Sequence, residues 1–116
     1  MESHPRGIQR YIAANGKVPF KEWLEKLRDL TAIVRIEARL KRVSLGNLGD
    51  CKPVGEGVFE LRIRIKRGLD YRIYFGQEGK TVILLLCGGD KSTQQQDIKK
   101  AKEYWADYES CEPTKE

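Results

Sequence analysis

The sequence predicts an α+β domain whose helices pack on one antiparallel sheet. Residues 57–65 and 69–75 alternate between apolar and polar side chains, which is the pattern of two half-buried strands. Apolar residues at helical spacing precede these strands and return near the C-terminus. A chain of 116 residues can bury about 60–70% of its unfolded surface, so we expect a single domain over residues 1–116.

The N-terminal part predicts one strand and two helices. We expect a strand over residues 8–14, ended by a turn at residues 15–16. Pro19 suits the first turn of a helix, and Asp29 or Thr31 can cap a second one. The short connection between them predicts a helical hairpin. The apolar stripes are Phe20, Trp23, Leu24 and Leu27 in the first helix, and Ile33, Ile36, Leu40 and Val43 in the second.

The other face of the second helix is basic and carries Arg35, Arg39, Lys41 and Arg42. This basic face is either solvated or in contact with nucleic acid.

The next part of the chain predicts a three-stranded antiparallel meander. Pro53 and the glycines beside it indicate a linker over residues 51–57. The two alternating strands follow, joined by a turn in which Gly68 can take positive φ. Residues 81–87 are apolar on both faces, so we place them inside the sheet, and Gly88-Gly89 ends that strand.

The last element predicted is a C-terminal helix. Ser92, with Gln95 three residues later, matches a capping box. Its apolar stripe is Ile98, Ala101, Trp105 and Tyr108. We expect residues 1–7 and 110–116 to be frayed. The predicted order is therefore an N-terminal strand, a helical hairpin, the meander and the final helix.

Composition narrows the classes of function. Lys and Arg number 22 against 17 Asp and Glu, a formal charge of +5 that favours an anionic partner. Cys51, Cys87 and Cys111 lack metal-ligand spacing and predict a reducing cytoplasm, with Cys87 as a small buried residue. The sequence has one histidine, His4, so we expect no zinc site, no histidine-based triad, no metal and no cofactor. The first ten residues hold no apolar leader, and the longest apolar run is too short to span a membrane.

The alternation places Arg62, Arg64, Arg72 and Tyr74 on the sheet face opposite the core. Arginine suits phosphate because its planar fork donates two parallel hydrogen bonds and keeps its charge. A solvated outer face fits the pattern equally well, and Glu60 can pair with either arginine. Neighbouring cations would lower the pKa of Tyr74, which could then transfer protons or stack on a base; a tyrosine that covers the sheet edge is the alternative.

The loop at residues 88–94 is a second candidate anion site. A helix start offers free backbone N–H groups and the positive end of the helix dipole, and Lys91 adds a mobile charge. The Walker pattern is absent, and an ordinary strand-to-helix turn needs the same residues.

The stretches GVFELRIRIKRGLDYRIYF and VILLLCGGDKSTQQQDIKKAKEYW, preceded by PFKEWL, resemble the RelE/ParE toxin superfamily. They are most similar to its phage-derived, HigB-like branch of addiction-module killer proteins, over residues 11–105. The resemblance implies a RelE-like fold and the toxin of a type II toxin–antitoxin pair, neutralised by a small helix-turn-helix antitoxin. RelE-like members cut messenger RNA on the ribosome and so inhibit translation. ParE-like members inhibit DNA gyrase instead, and an inert antitoxin-binding domain is a third reading.

The resemblance also implies site residues. Arg62 and Arg72 match the basic sheet residues of the members that cleave RNA. Tyr74 or Tyr71 matches their aromatic site residue, and Lys91 matches the site residue in their last loop. In the implied metal-independent mechanism, the ribose 2′-hydroxyl attacks the adjacent phosphate, with Lys91 or Tyr74 removing the proton. The histidine of the HigB pattern has no counterpart near the sheet. The residues expected to bind RNA around this site are Arg64, Lys66, Arg67, Thr93 and Gln94.

Overall fold

The computed structural model, which describes residues 6–80 and 82–110, contains a sheet of five strands and three α-helices in those residues. The strands are Gly7–Arg10 (β1), Cys51–Gly55 (β2), Val58–Lys66 (β3), Leu69–Glu78 (β4) and Val82–Asp90 (β5). The helices are Pro19–Lys26 (α1), Leu30–Ser44 (α2) and Gln94–Ser110 (α3), with a 3₁₀ turn at Lys91–Thr93. The α+β class is confirmed.

The sheet has the strand order β1-β5-β4-β3-β2. Strands β3, β4 and β5 form the predicted antiparallel meander, and Gly68 has the expected positive φ of 82° in the first turn. Strand β1 lies parallel to β5, from Gly7 beside Val82 to Arg10 beside Leu85. The first strand is therefore shorter than the predicted residues 8–14, and β5 is an inner strand, as its apolar sequence indicated.

Residues 51–57 were predicted to be a linker, and that prediction is wrong. Cys51–Gly55 forms strand β2, antiparallel to β3 at the edge of the sheet. An edge strand needs hydrogen bonds on one side only, so it tolerates Pro53, which has no N–H to donate. The register shifts between Pro53 and Gly55, where the pairing with β3 becomes irregular. Strand β2 places Lys52 opposite Glu60.

One face of the sheet is covered by α1 and α2. Pro19 begins α1, and Asp29 caps α2 by accepting hydrogen bonds from the Thr31 and Ala32 N–H groups. Helix α1 packs mainly on β5 and α2 mainly on β3. The buried residues of this first core are Phe20, Ala32, Ile36, Val43, Leu61, Ile63, Ile65, Ile73, Phe75, Ile83 and Leu85.

Arg39 does not lie on the outer basic face predicted for α2. Its side chain is buried, with only 7% of the residue exposed. Nη1 donates to the Leu48 carbonyl at 2.6 Å, and Nη2 donates to the Asp50 carbonyl at 3.2 Å. These bonds tie α2 to the chain that leads into β2, and they satisfy the donors of the buried Arg39 side chain.

Helix α3 covers part of the opposite face. The buried residues of this second core are Tyr11, Val58, Tyr74, Leu84, Leu86, Cys87, Ala101 and Trp105. Burial raises the pKa of the Cys87 thiol to about 12, as expected for a small core residue. The predicted Ser92 cap is wrong. Asp90 caps the turn before α3 by accepting hydrogen bonds from the Ser92 N–H and hydroxyl, which lower the pKa of Asp90.

The glycines predicted to end β5 instead lie inside it. A Cβ atom on Gly88 would lie 2.4 Å from the Trp23 ring, and one on Gly89 would lie 1.9 Å from an Asp97 oxygen. These two glycines are therefore explained by side chains packed against the strand on each face, rather than by a turn.

The ends of the described chain are tied to the fold. Arg6 N–H donates to the Ser44 carbonyl at 2.8 Å, Gly7 begins β1 and Ser110 ends α3. The other residues predicted to be frayed, with His4, Thr81 and Cys111, lie outside the described residues. Across residues 6–80 and 82–110, no helix is both long and apolar enough to cross a membrane.

Packing of α3 on the sheet depends on Gly76, where a Cβ atom would lie 2.1 Å from the Trp105 ring. We expect Gly76→Ala to lower the free energy of unfolding by about 1–3 kcal/mol, because the ring must move. Urea denaturation measures this loss. In a Trp105→Leu background the same substitution should cost much less, and equal losses in both backgrounds would contradict the steric explanation.

Candidate anion-binding face of the sheet

Strand pairing brings the predicted arginines together on one sheet face. Arg62 lies opposite Arg72, and Arg64 lies opposite Asp70. Glu60 lies opposite Tyr74 on the same face. Neighbouring strands are about 5 Å apart, so these side chains form one surface. We call the surface formed by Arg62, Arg64, Arg72 and Lys91 the arginine face.

Tyr74 lies on the predicted face but is fully buried beneath α3. Its hydroxyl donates to Glu60 Oε2 at 3.0 Å. Burial raises the pKa of Tyr74, and the hydrogen bond to the Glu60 carboxylate and its charge add to the shift. The expected lowering of this pKa by cations is therefore wrong, since desolvation outweighs the charge of Arg72. Tyr74 is a core residue that fixes Glu60.

Tyr71, the alternative aromatic residue, lies on the other face of the sheet. Its ring meets Trp23 edge-on, with the ring centroids 5.7 Å apart, beside the first core. Neither of the two candidate tyrosines is therefore exposed on the arginine face.

Glu60 is the centre of a buried polar network, with 3% of the residue exposed. Its Oε2 accepts hydrogen bonds from Tyr74 and from Gln94 Nε2, the latter at 2.8 Å. The same oxygen lies 3.7 Å from Arg72 Nε, and Oε1 lies 3.8 Å from Lys52 Nζ. Four elements, β2, β3, β4 and α3, thus meet at one carboxylate.

Arg72 is buried yet incompletely satisfied. Only 7% of the residue is exposed, and Nε and Nη1 have no hydrogen-bond partner among the described residues. The 3.7 Å separation from Glu60 is an ion pair but too long for a hydrogen bond. Leaving buried donors unpaired normally costs free energy, so such groups indicate a missing partner.

Two adjacent cavities have Arg72 in their walls. One, of about 150 Å³, is lined by Asp50, Lys52, Glu60, Arg62 and Arg72. The other, of about 370 Å³, is lined by Arg64, Arg67, Gly68, Asp70, Arg72 and Lys91. The second cavity gathers four cations around one carboxylate, so it offers a positive field to an anion.

The outer arginines are held by carboxylates. Arg62 Nε donates to Asp50 Oδ2 at 2.9 Å, and Arg64 Nε donates to Asp70 Oδ1 at 2.6 Å. Arg62 and Arg64 are exposed, so these pairs position them at little energetic gain. Lys91 is exposed and forms no ion pair within residues 6–80 and 82–110.

The other residues predicted to bind RNA differ in whether they lie near the arginine face. Arg67 lines the larger cavity together with Arg64, Arg72 and Lys91. Gln94 donates to Glu60, and the Thr93 hydroxyl donates to Asp97 Oδ2 at 2.6 Å. Lys66 is exposed at the end of β3 and lines neither cavity.

Sequence reasoning missed the importance of Glu60, Asp50 and Lys52. The alternation of side chains along β3 placed Glu60 on this face, but only the packing of α3 shows that its carboxylate is buried. Asp50 and Lys52 reach the site because β2 is a strand, and the Pro53 signal concealed that strand.

The fold and this face define an α+β protein with a cationic sheet surface. It is 52% identical over 83 residues to an uncharacterized protein of Haemophilus influenzae, a match that covers 72% of this chain and 82% of that protein. The chain belongs to the same family as that protein. No family model matches the sequence.

The raised pKa of Tyr74 predicts a loss of stability in alkali. Above about pH 10 the unfolded chain releases a proton from this tyrosine that the folded chain keeps, so the free energy of unfolding should fall. The slope from this residue is up to about 1.4 kcal/mol per pH unit. Denaturant unfolding from about pH 8 to 11.5 measures it. Tyr74→Phe should be less sensitive to alkali, and equal slopes in both proteins would contradict the assignment.

Proposed function

We propose that this protein is the toxin of a type II toxin–antitoxin pair, a HigB-like member of the RelE/ParE superfamily that cuts messenger RNA on the ribosome. The observation that carries the proposal is the buried Arg72, which has two unpaired donors and lines two cavities together with further cations. The sequence resemblance supports the same assignment.

A phosphate group fits the unsatisfied guanidinium of Arg72. Arginine binds phosphate strongly because its guanidinium keeps its charge and donates several hydrogen bonds, and Nε and Nη1 of Arg72 have no partner among the described residues. Glu60 orients Arg72 by charge without occupying its donors. The small cavity volume suits one phosphate and its ribose, and the ribosome holds the rest of the RNA.

The proposed reaction forms a bond from the ribose 2′ oxygen to phosphorus and breaks the bond from phosphorus to the 5′ oxygen. The products are a cyclic 2′,3′ phosphate and a free 5′-hydroxyl. Charge develops on the phosphate oxygens, where Arg72 and Arg62 would stabilise it, and such stabilisation is commonly the largest contribution to catalysis. The nucleophile belongs to the substrate, so the reaction needs no metal.

The proton transfers fall to Glu60 and Lys91 in this proposal. Glu60 lines the smaller cavity between Arg62 and Arg72, and its carboxylate can accept the 2′ proton. Lys91 lines the other cavity and can protonate the departing 5′ oxygen. Tyr74 is removed from this role because burial raises its pKa and Glu60 accepts its hydroxyl hydrogen.

Arg72→Met tests the role of Arg72 in cutting. We expect it to reduce mRNA cutting by about 10²–10³-fold, because a transition-state contact is lost. The free energy of unfolding should also fall, by about 3–5 kcal/mol, because the buried Glu60 carboxylate loses its ion-pair partner, so cutting is compared at a temperature where both proteins are folded. Primer extension on translated message, with purified protein and ribosomes, measures cutting.

Arg28→Met is the matched control, because Arg28 is exposed between α1 and α2. Its cutting should equal that of the wild type. Undiminished cutting by Arg72→Met would contradict the proposed role of Arg72.

Glu60→Gln tests the proton acceptor while keeping the shape of the side chain. We expect cutting to fall by about 10²-fold or more, with binding of the same RNA retained. Lys91→Met should also slow cutting. RNA binding is measured by fluorescence anisotropy in the same buffer. Full activity in Glu60→Gln would remove Glu60 from the mechanism and leave Arg72 in place.

The ParE-like alternative predicts a different outcome for the whole protein. Expression without an antitoxin would then block growth with intact transcripts, and purified protein would inhibit DNA supercoiling by gyrase. Harmless expression would favour an inert antitoxin-binding domain.

A further inference from the structure

A separate cleft lies between α1 and α3, at the C-terminal end of β5. Its volume is about 420 Å³, within the roughly 300–1,000 Å³ usual for small-molecule sites. Gly88 and Gly89 line its floor, while Trp23 and Tyr104 stand in its walls. The cleft exists because β1 pairs with β5 only as far as Leu85, so the last residues of β5 have no strand on that side.

The walls of the cleft present aromatic surface. Trp23 is half-buried and packs over Gly88, where only a glycine leaves space for the indole. Tyr104 stacks on Tyr11, with ring centroids 5.0 Å apart and planes inclined by 24°. Tyr11 covers one side of the Tyr104 ring, and the ring also lines the cleft. Aromatic side chains in such positions are the usual platforms for unstacked bases.

Three carboxylates line the cleft, those of Glu22, Asp90 and Asp97, and Asp90 already accepts hydrogen bonds from Ser92. Asp97 Oδ2 accepts a hydrogen bond from the Thr93 hydroxyl, and Oδ1 has no hydrogen-bond partner among the described residues. Asp97 lies against Gly89, which has no Cβ to exclude it. Burial raises the pKa of Asp97, and the positive charge of Lys100 opposes this shift. Asp97 and Lys100 both line the cleft, beyond ion-pair distance of each other.

This pairing of a carboxylate with an ammonium matches one base. Guanine presents two adjacent donors, N1–H and the 2-amino group, beside the O6 acceptor. A carboxylate accepts both donors, and Lys100 can donate to O6. Adenine and cytosine each place a ring acceptor beside the amino group, where it would meet the Asp97 oxygens. Uracil offers one donor between two carbonyls.

The cleft adjoins the arginine face. Gly89 lies opposite Arg72 in the β4–β5 pairing, and paired strands are about 5 Å apart. An RNA with a phosphate at Arg72 can therefore place a neighbouring base in the cleft. We propose that the cleft between Trp23 and Tyr104 binds a guanine base, read by Asp97 and Lys100, and so gives the RNA site a sequence preference. This inference rests on the proposed function for its RNA.

The test is an NMR titration of the purified, ¹⁵N-labelled protein with GMP, AMP, CMP and UMP. We expect GMP to bind at least about tenfold more tightly than the other three, with the largest shifts at the Trp23 indole N–H and at Gly88 and Gly89. All four ligands carry the same phosphate, so a common affinity would show phosphate binding alone and would overturn the proposal.

Asp97→Asn tests the carboxylate, because an amide replaces one acceptor with a donor. GMP affinity should fall by at least about tenfold, and Lys100→Met should weaken GMP more than AMP. Glu103→Gln is the matched control, since Glu103 is exposed on α3 and does not line the cleft. Unchanged GMP affinity in both Asp97→Asn and Lys100→Met would overturn the assignment.

Arg72→Met distinguishes this inference from the proposed function. The preference for GMP over AMP, CMP and UMP should survive that substitution, even if all four nucleotides bind more weakly and RNA cutting is lost. Selective GMP binding without any RNA cutting by the wild type would support the cleft and reject the nuclease. RNA cutting without selective GMP binding would support the nuclease and reject the guanine site in the cleft.

Discussion

The buried ion pair between Glu60 and Arg72 is the interaction on which this structure depends. Removing two charges from water costs several kcal/mol per ion unless further contacts compensate. Glu60 receives that compensation from Tyr74, Gln94 and Lys52. Arg72 receives much less, because two of its nitrogens lack hydrogen bonds. The carboxylate of the pair therefore has several polar partners, whereas the guanidinium has two nitrogens without a hydrogen bond.

This asymmetry links stability to function. A guanidinium held at 3.7 Å from its carboxylate is oriented by charge, yet Nε and Nη1 remain without a hydrogen-bond partner among the described residues. Proteins commonly retain such poorly satisfied groups at functional sites, where a well-packed apolar residue would be at least as stable. The outer arginines differ, because each already donates to an aspartate and lies in solvent. They shape the field around the site, while Arg72 is buried and lines both cavities.

Helix α3 divides the sheet face into two regions. At one end Trp105 and Ala101 cover Tyr74 and make it part of the core. At the other end the helix begins with residues that serve two sites, since Gln94 holds Glu60 and Asp97 stands in the neighbouring cleft. Gly89 at the end of β5 permits the close approach of Asp97. A change in the position of α3 would therefore disturb both sites at once.

The sequence by itself determined the α+β class, the meander and the shared face of Arg62, Arg64 and Arg72, because periodicity reports which side of a strand is apolar. Tertiary structure alone decided how deeply each polar side chain is buried. Arg72 and Tyr74 point to the same face of β4, yet α3 covers Tyr74 and leaves Arg72 beside two cavities. Strand β2 also escaped prediction, since its pairing with β3 overrides the local preference of Pro53. Local patterns cannot report such burial, because it depends on elements that are distant in the chain.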